Sequence, residues 1–256
     1  MAPEYNTMEL MICVAARNLE DGKTVAVGTG APCAAAMLSQ KTCSPNLVIL
    51  FEAGGVAPLL PSMPISVGDS RTFYKAIMAA GMSEMMTTCA RGQVDYAFLG
   101  GAQIDKYGNI NSTMVGTDYS HPKVRFPGSG GANDFASLCW RTMIMTVHSK
   151  DRFAEKCDFI TSPGFLTGGN ARDVAGLPEG GPYMIITDLA VMTFHPDSKA
   201  MMLQSLNPGV EVEQVKENTG FELIIPDTIG RTEAPTAAEL RILREEVDPL
   251  KVVIGR

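Results

Sequence analysis

Short apolar runs alternate with amphipathic segments along most of the chain. Residues 47–51 are apolar at every position, which is typical of a strand buried on both faces of a parallel sheet. Similar runs predict the strands 23–28, 47–51, 94–99, 142–147, 159–161 and 183–187, and a hairpin of 191–194 with 200–206. Periodic apolar positions and capping residues predict helices over 8–19, 70–80, 135–141 and 236–247, and an Ala-rich helix after the turn at 29–32.

This order of strands and helices predicts an α/β layered fold. The alternation implies a largely parallel sheet, with the hairpin at 191–206 as an antiparallel edge. No internal repeat, low-complexity tract or long linker is visible, so residues 1–256 are predicted to form a single domain. In open α/β sheets, ligands bind at the carboxyl ends of the strands, so the chemistry is expected in the loops that follow them.

Composition and charge narrow the class of protein. A net charge of -7 without a Lys/Arg cluster disfavours nucleic acid as a partner. The first ten residues lack the features of a secretion signal, and no apolar run approaches the length of a membrane span. Six scattered cysteines predict reduced, mostly buried thiols in a cytoplasmic protein. His121, His148 and His195 are isolated in the sequence, so no metal site is predicted.

The first candidate site is Glu52, which directly follows the apolar run 47–51 and precedes Ala53, Gly54 and Gly55. An ionised carboxylate beside a buried strand is costly unless hydrogen-bond donors meet it. The two glycines remove side chains and would let a ligand approach. A solvated glutamate at the end of a strand has the same sequence, so the residue type alone leaves both interpretations open.

The second candidate site is the cluster 100–113, which follows the predicted strand 94–99. Its small residues would let the backbone approach a ligand, and 105–109 is predicted to form a tight turn. Gln103, Asn109 and Asn111 are either hydrogen-bond donors to a substrate or stabilise this turn. Spacing alone does not decide between the two roles.

The third candidate site is the glycine-rich segment 127–134, which precedes the predicted helix 135–141. Consecutive N–H groups in such a turn at the start of a helix form an anion-binding nest. An oxyanion formed on a thioester would be stabilised there. A flexible surface turn is the equally simple alternative.

Two other enzyme classes fit the sequence poorly. Gly28-Thr29-Gly30 begins like a dinucleotide fingerprint, but Cys33 stands in place of the third glycine. The motif G-x-S-x-G does not occur, so a serine hydrolase would lack its nucleophile elbow.

The three glycine clusters, in this order and at these distances, resemble the class I CoA-transferases, in particular B subunits of the glutaconate type. The likeness covers most of the chain. It is carried by GGAQIDKYGNINST (100–113), HPKVRFPGSGGAN (121–133), TSPGF (161–165), ITDLAV (186–191), ENTGF (217–221) and LRILREEVDP (240–249). Several dense motifs in register are far more specific than a single glycine loop.

The resemblance implies a three-layer αβα fold and assigns roles to individual residues. Glu52, in the E-x-G segment Glu52-Ala53-Gly54, would be the catalytic nucleophile that carries CoA. Gly130 and Gly131 would lie at the thioester and its oxyanion. The residues implied in CoA or substrate binding are Gly54, Gly100, Gly101, Ala102, Gln103, Gly128, Ala132 and Asn133.

The resemblance also implies partners and a reaction. The family consists of two homologous halves, often on separate α and β chains, and this chain corresponds to the second. An α-subunit partner is implied, in a heterodimer, an α2β2 or a larger assembly, with acyl-CoA and carboxylic acids as substrates. CoA would be a substrate and not a resident cofactor, and transfer would proceed by ping-pong kinetics through a glutamyl-CoA thioester on Glu52.

The sequence leaves activities other than CoA transfer open. Relatives on this fold that have lost the glutamate act as decarboxylases or as ring-opening hydrolases, and a CoA-thioester hydrolase is a third possibility. A non-catalytic sugar-phosphate sensor or scaffold subunit, and a nicotinamide-dependent dehydrogenase, come from other classes.

Overall fold

A computed structural model describes residues 4–255, within which short strands and helices alternate. The α-helices are α1 (Thr7–Arg17), α2 (Ala31–Lys41), α3 (Met82–Ala90), α4 (Ala132–Leu138), α5 (Ala171–Val174), α6 (Val212–Glu217) and α7 (Ala237–Ile242), the last continuing as a π-helical turn, Leu243–Val247. The strands are β1 (Thr24–Val27), β2 (Val48–Phe51), β3 (Gly55–Val56), β4 (Met78–Ala79), β5 (Tyr96–Leu99), β6 (Gln103–Ile104), β7 (Ile110–Asn111), β8 (Met114–Val115), β9 (Val124–Arg125), β10 (Arg141–Met145), β11 (Pro182–Ile186), β12 (Ala190–Phe194), β13 (Met201–Leu206) and β14 (Gly230–Arg231). The chain divides into two compact units: residues 4–98 with 233–255 form unit 1, and 99–232 form unit 2.

Unit 1 is built on strands in the order β5-β1-β2-β3-β4. The central strand β1 runs parallel to both β2 and β5, whereas β3 and β4 are antiparallel. Ile49 and Val25, on β2 and β1, are fully buried. Apolar side chains on both faces of these strands are what the continuous run at 47–51 predicts.

Two partly buried ion pairs in unit 1 join α1 to the helical segment 237–247. Asn6 caps α1, with Glu9 completing a capping box. Glu9, only 2% exposed, also accepts hydrogen bonds from the guanidinium of Arg244. Arg17, in the last turn of α1, makes a bidentate pair with Glu239 in α7. Each pair has two hydrogen bonds, and together the pairs fix the segment 237–247 against α1.

Unit 2 has strands in the order β14-β13-β12-β11-β10. β10 and β11 are parallel, and β12 and β13 form the antiparallel hairpin that the sequence predicts. Two small hairpins also form: β6 with β7 lies within the second candidate cluster, 100–113, and β8 with β9 directly follows it. The predicted α/β class, with parallel strands and an antiparallel edge, is confirmed. The single-domain assignment of residues 1–256 stays a prediction.

Two predicted elements are wrong. The helix predicted over 70–80 is a single 3-10 turn, Ser70–Phe73, followed by β4. Ile77 is 85% exposed, so this segment lacks the buried stripe of an amphipathic helix, and Met78 instead pairs with Val56. The strand predicted over 159–161 does not form, and the isolated bridge beside it joins the next residue, Ser162, to Ile110.

Two further properties concern the environment of the protein. All six cysteines are free, and Cys43 is exposed whereas the other five are buried. Among residues 4–255, no helix combines the length and the apolar character that crossing a membrane requires.

Candidate active site

Glu52 begins the turn that leads from β2 into β3 in unit 1. The N–H of Gly54 donates to the carbonyl of Phe51 over 2.8 Å, which closes a tight turn around Glu52 and Ala53. The Glu52 side chain is half-buried. The backbone of Glu52 is therefore held at the carboxyl end of a buried parallel strand, the position at which α/β sheets bind their ligands.

A helix N-terminus lies at the same edge of this sheet. Val27, the last residue of β1, pairs with Phe51 in parallel register, so the turn that follows β1 emerges beside Glu52. Gly30, in the left-handed region at φ +99°, is the N-cap of α2. The first turn of a helix carries partial positive charge on its backbone N–H groups. The edge that carries the Glu52 carboxylate thus also favours an anionic substrate group.

The two glycines after Glu52 are required by the protein's own backbone. A Cβ atom at Gly54 would lie 1.9 Å from the carbonyl oxygen of Ala80, and one at Gly55 would lie 1.9 Å from that of Thr72. Gly54 also has φ +114° and accepts a hydrogen bond from the N–H of Ala80. The sequence suggested that these glycines leave room for a ligand, but the chain itself fills the space. Contact of Gly54 with CoA stays a prediction.

Gly54→Ala is expected to destabilise the protein by about 2–4 kcal/mol, because it adds a backbone clash to a strained φ. Gly28→Ala is the matched control, since a Cβ there meets no atom within 4 Å. Denaturant unfolding of both variants measures the difference. Equal stability of the two variants would show that the Glu52 turn does not depend on this close packing.

The second cluster forms a hairpin in unit 2 whose polar groups bind the chain itself. A Cβ at Gly101 would lie 2.1 Å from Cγ2 of Ile110, so this glycine allows the two strands to approach. The side-chain oxygen of Gln103 accepts from Nδ2 of Asn111 over 2.6 Å and from the N–H of Asp158 over 3.0 Å. Gly100 is exposed, and Ala102 donates its N–H to the Asn111 carbonyl. The predicted contacts of these four residues, 100–103, with CoA stay predictions.

The structure assigns Asn109 and Asn111 to the turn. Both side chains are fully buried. The amide of Asn109 donates to Asp105 and to the carbonyl of Leu166, and its oxygen accepts from the N–H of Gly164. The amide of Asn111 donates to Gln103 and to a backbone carbonyl. Because these groups are satisfied internally, the turn-stabilising alternative holds for both asparagines.

The third cluster is an ordered turn at the start of α4. Gly128 and Gly130 have φ +98° and +51°, in the left-handed region that glycine favours. Ser112 holds Gly128 from both sides, since its carbonyl accepts from the Gly128 N–H and its hydroxyl donates to the Gly128 carbonyl, each over 3.0 Å. The turn is therefore tied to the backbone at Ser112, whereas Gly130 is exposed. Gly131, which is buried, is the N-cap of α4.

The hydroxyls of Ser129 and Thr161, whose roles the sequence does not predict, shape this turn. Ser129 accepts the N–H of Ala132 at its carbonyl and that of Asn133 at its hydroxyl. The Asn133 amide donates to the carbonyl of Thr161 over 2.9 Å, and the Thr161 hydroxyl bonds the backbone at Ser112. The motif TSPGF, which begins with Thr161, was the only signal of this connection. The oxyanion roles of Gly130 and Gly131, and the binding roles of Gly128, Ala132 and Asn133, stay predictions.

Unit 2 also contains a buried histidine, His148. His148 is 4% exposed, stacks on Phe153, and has Thr187 Oγ1 3.1 Å from Nδ1 and Thr219 Oγ1 3.0 Å from Nε2. Burial lowers its pKa to about 4, against the attraction of Asp188. Thr187 belongs to the motif ITDLAV and Thr219 to the motif ENTGF, so His148 connects the two motifs.

Acid is expected to destabilise the protein through His148. Since its folded-state pKa is lowered, this stability is complete above pH ~6.5 and is lost as the pH falls towards about 4. The full loss is about 3 kcal/mol for a shift of this size. Unfolding measured from pH 7 to 4 should show a shallower pH dependence for His148→Gln than for the native chain. His121→Gln, at an exposed histidine, should keep the native slope; equal slopes in all three proteins would contradict the assignment.

The family of the chain follows from its match to a sequence model. The model of the coenzyme A transferase family matches residues 8–218. This chain belongs to the coenzyme A transferase family. The resemblance seen in the glycine clusters is confirmed.

Individual relatives agree with the family. The chain is 41% identical to the B subunit of 3-oxoadipate CoA-transferase from Pseudomonas knackmussii, over 94% of this chain and 92% of that protein. It is 38% identical to the B subunit of glutaconate CoA-transferase from Acidaminococcus fermentans, over 96% and 93%. The IpdB subunit of a cholesterol ring-cleaving hydrolase from Mycobacterium tuberculosis is 26% identical over 84% of this chain and 82% of that protein.

Comparison of structures supports the same placement. The crystal structure of the Acidaminococcus fermentans glutaconate CoA-transferase superposes with a TM-score of 0.94 at 36% identity, and the match covers 100% of both chains. This coenzyme A transferase fold confirms the predicted α/β architecture.

Proposed function

We propose that this chain is the nucleophile-bearing subunit of an acyl-CoA:carboxylate CoA-transferase, with Glu52 as the nucleophile. The observation that carries the proposal is the place of Glu52: a family member presents a half-buried carboxylate in a glycine-locked turn at the carboxyl end of β2. Glutamate in this turn suits the reaction because the exchanged acids are themselves carboxylates, so the transfer is close to isoenergetic.

The proposed reaction proceeds in two exchanges. A carboxylate oxygen of Glu52 attacks the acyl-CoA carbonyl, and collapse of the oxyanion expels CoA thiolate and leaves an acyl-glutamyl anhydride. The thiolate then attacks the Glu52 carbonyl, which releases the first acid as a carboxylate and leaves a glutamyl-CoA thioester. The acceptor carboxylate repeats these steps in reverse, so that Glu52 is regenerated and a new acyl-CoA leaves.

The protein must compensate for the weak nucleophilicity of a carboxylate. Fixing Glu52 in a rigid turn reduces the entropy that the attack costs. Oxyanion donors typically contribute roughly 3–4 kcal/mol each. On the resemblance, we assign this role to Gly130 and Gly131.

The relatives support a proposal for the substrates and the partner. The proteins from Pseudomonas knackmussii and Acidaminococcus fermentans are named for 3-oxoadipate and glutaconate, which are both dicarboxylates. We infer that this enzyme also takes a dicarboxylic acyl group, with CoA as a substrate and not a resident cofactor. Both relatives are B subunits, so we infer a companion α chain, in a heterodimer or a larger assembly such as α2β2. Six free cysteines, five of them buried, fit a reducing cytoplasm.

Hydrolysis is the second candidate, because the chain is also related to the IpdB subunit of a ring-cleaving hydrolase. The two activities differ in their need for an acceptor. We expect the complex with the companion chain to consume glutaryl-CoA or glutaconyl-CoA only when acetate is present, and to form acetyl-CoA in equal amount. Release of free CoA at the same rate without any acceptor acid would favour the hydrolase and overturn the transferase.

A further inference from the structure

Large apolar side chains are exposed in one short segment of unit 1. Within residues 4–255, sixteen large hydrophobic side chains are exposed, and eight of them fall in the segment 59–82. We call this segment the 59–82 face. Its exposed members are Leu59, Ile65, Val67, Phe73, Tyr74, Ile77, Met78 and Met82. Scattered single exposures are ordinary, but half of the total in about a tenth of the chain indicates a surface that is covered in the assembled protein.

A groove marks the most exposed part of the 59–82 face. A cavity of about 610 Å³ is lined mainly by apolar side chains, among them Leu59, Tyr74 and Ile77, and by prolines; Gln40, Lys41 and Lys75 supply its polar part. The backbone is fixed there, since the N–H of Leu59 donates to the carbonyl of Tyr74 and that of Ile77 to the carbonyl of Val56. Because its backbone is already fixed, this largely apolar groove needs little further ordering to accept side chains from a folded partner.

The sheet edge beside the groove is also unprotected. β4 is the edge strand of unit 1, and both of its residues, Met78 and Ala79, are exposed. Soluble proteins usually protect such edges with charged side chains, prolines or bulges. Here the neighbouring residue is the apolar Ile77. An apolar edge strand is suited to burial against another chain.

The exposed area matches one side of a stable interface. A large side chain contributes roughly 150–250 Å² when it is fully exposed. The exposures of the eight side chains then amount to on the order of 800 Å², which is about what each partner buries in a standard-size interface. The segment 59–82 contains three charged residues. The Asp69 carboxylate and the Arg71 guanidinium pair with each other, and the ammonium of Lys75 lies over the Tyr74 ring, so the charge left to oppose apolar docking is small.

We propose that the 59–82 face is the docking surface for the companion α subunit. This inference rests on the proposed function, which supplies the partner. A companion chain is chosen over a second copy because the relatives that match most of this chain are themselves B subunits of two-component transferases. The partner surface is apolar, with side chains that enter the groove between Leu59 and Ile77.

The docking surface is joined to the Glu52 turn by direct contacts within unit 1. Gly54 and Gly55 pack against the backbone carbonyls of Ala80 and Thr72, and Gly54 also bonds to the Ala80 N–H. The segment that receives the companion chain is therefore the one that supports the catalytic turn. Docking restrains this segment and, through it, the position of the Glu52 carboxylate.

The test is co-expression with the companion α chain, followed by size-exclusion chromatography with light scattering and measurement of the Kd. Ile77→Asp should weaken the complex by at least 100-fold while leaving the Tm of the isolated chain unchanged, since Ile77 is 85% exposed. Val174→Asp is the matched control, at an apolar side chain that is 78% exposed in unit 2, and should change the Kd less than 3-fold.

The outcomes separate this inference from the proposed function. A complex that transfers CoA and tolerates Ile77→Asp within 3-fold overturns the docking surface and leaves the transferase standing. If Ile77→Asp disrupts the complex but the native complex transfers no CoA, the docking surface is supported and the transferase is overturned. Two further outcomes also overturn the docking surface. In one, Ile77→Asp abolishes a homodimer of this chain but leaves binding of the companion unchanged. In the other, the companion does not bind the native chain.

Discussion

Replacing Glu52 by glutamine is expected to lower CoA transfer by at least about 10⁴-fold, because the attacking carboxylate oxygen becomes an unreactive amide. Glutamine has the same shape, and the turn is held by backbone bonds between Phe51 and Gly54. The variant should therefore fold, bind the companion chain and bind acyl-CoA. Steady-state rates with saturating acetate, together with the Kd for the companion, measure the two properties separately.

Glu52→Asp gives a graded result. It keeps the carboxylate but withdraws it by one methylene from the reacting carbonyl, and a misplacement of about 1 Å can cost about 100-fold in rate. Glu213→Gln is the control at an exposed carboxylate and should keep the native rate. A Glu52→Gln enzyme that retains more than a tenth of the native rate would remove Glu52 from the mechanism.

Replacing Arg172 by methionine is expected to destabilise the protein by about 3–5 kcal/mol. Arg172 is 3% exposed, and its guanidinium donates to the carbonyls of Ala136 and Ser137 in the last turn of α4, and to those of Gly164 and Pro178. Burial lowers the pKa of this guanidinium. Loss of the donors leaves buried carbonyls without partners, and each such group costs roughly 1–3 kcal/mol.

The control for Arg172 is Arg231→Met, at an arginine whose side chain is 61% exposed. It should change the free energy of unfolding by less than ~0.5 kcal/mol. Arg172→Lys keeps the charge but loses the planar set of donors, and should fall between the two. Guanidinium unfolding curves that coincide for Arg172→Met and Arg231→Met would show that the buried arginine does not hold α4 to its neighbours.

The sequence predicts well what depends on local pattern. The apolar run at 47–51 places β2 and, with it, the position of Glu52 after a buried strand. The hairpin of β12 with β13 also follows from two adjacent runs. Both depend on the alternation of side chains and on neighbours in the chain, so a single sequence is sufficient.

The sequence does not reveal what depends on distant contacts. Gly54 and Gly55 are glycines because Thr72 and Ala80 pack against them, and their sequence suggests open space for a ligand instead. The segment 70–80 fails as a helix for the same reason, since Met78 joins β3. Arg172 has no sequence motif, because its partners are backbone carbonyls that any residue could supply.

Trapping the covalent intermediate tests the central claim most directly. The complex with the companion chain is incubated with acyl-CoA in the absence of acceptor acid, treated with sodium borohydride and digested for mass spectrometry. We predict that the peptide containing Glu52 changes by the mass expected for conversion of the carboxyl group to a primary alcohol, and that an excess of acetate added before the borohydride prevents this. An unmodified Glu52 peptide in a complex that transfers CoA, or reduction at another carboxylate, would contradict the account.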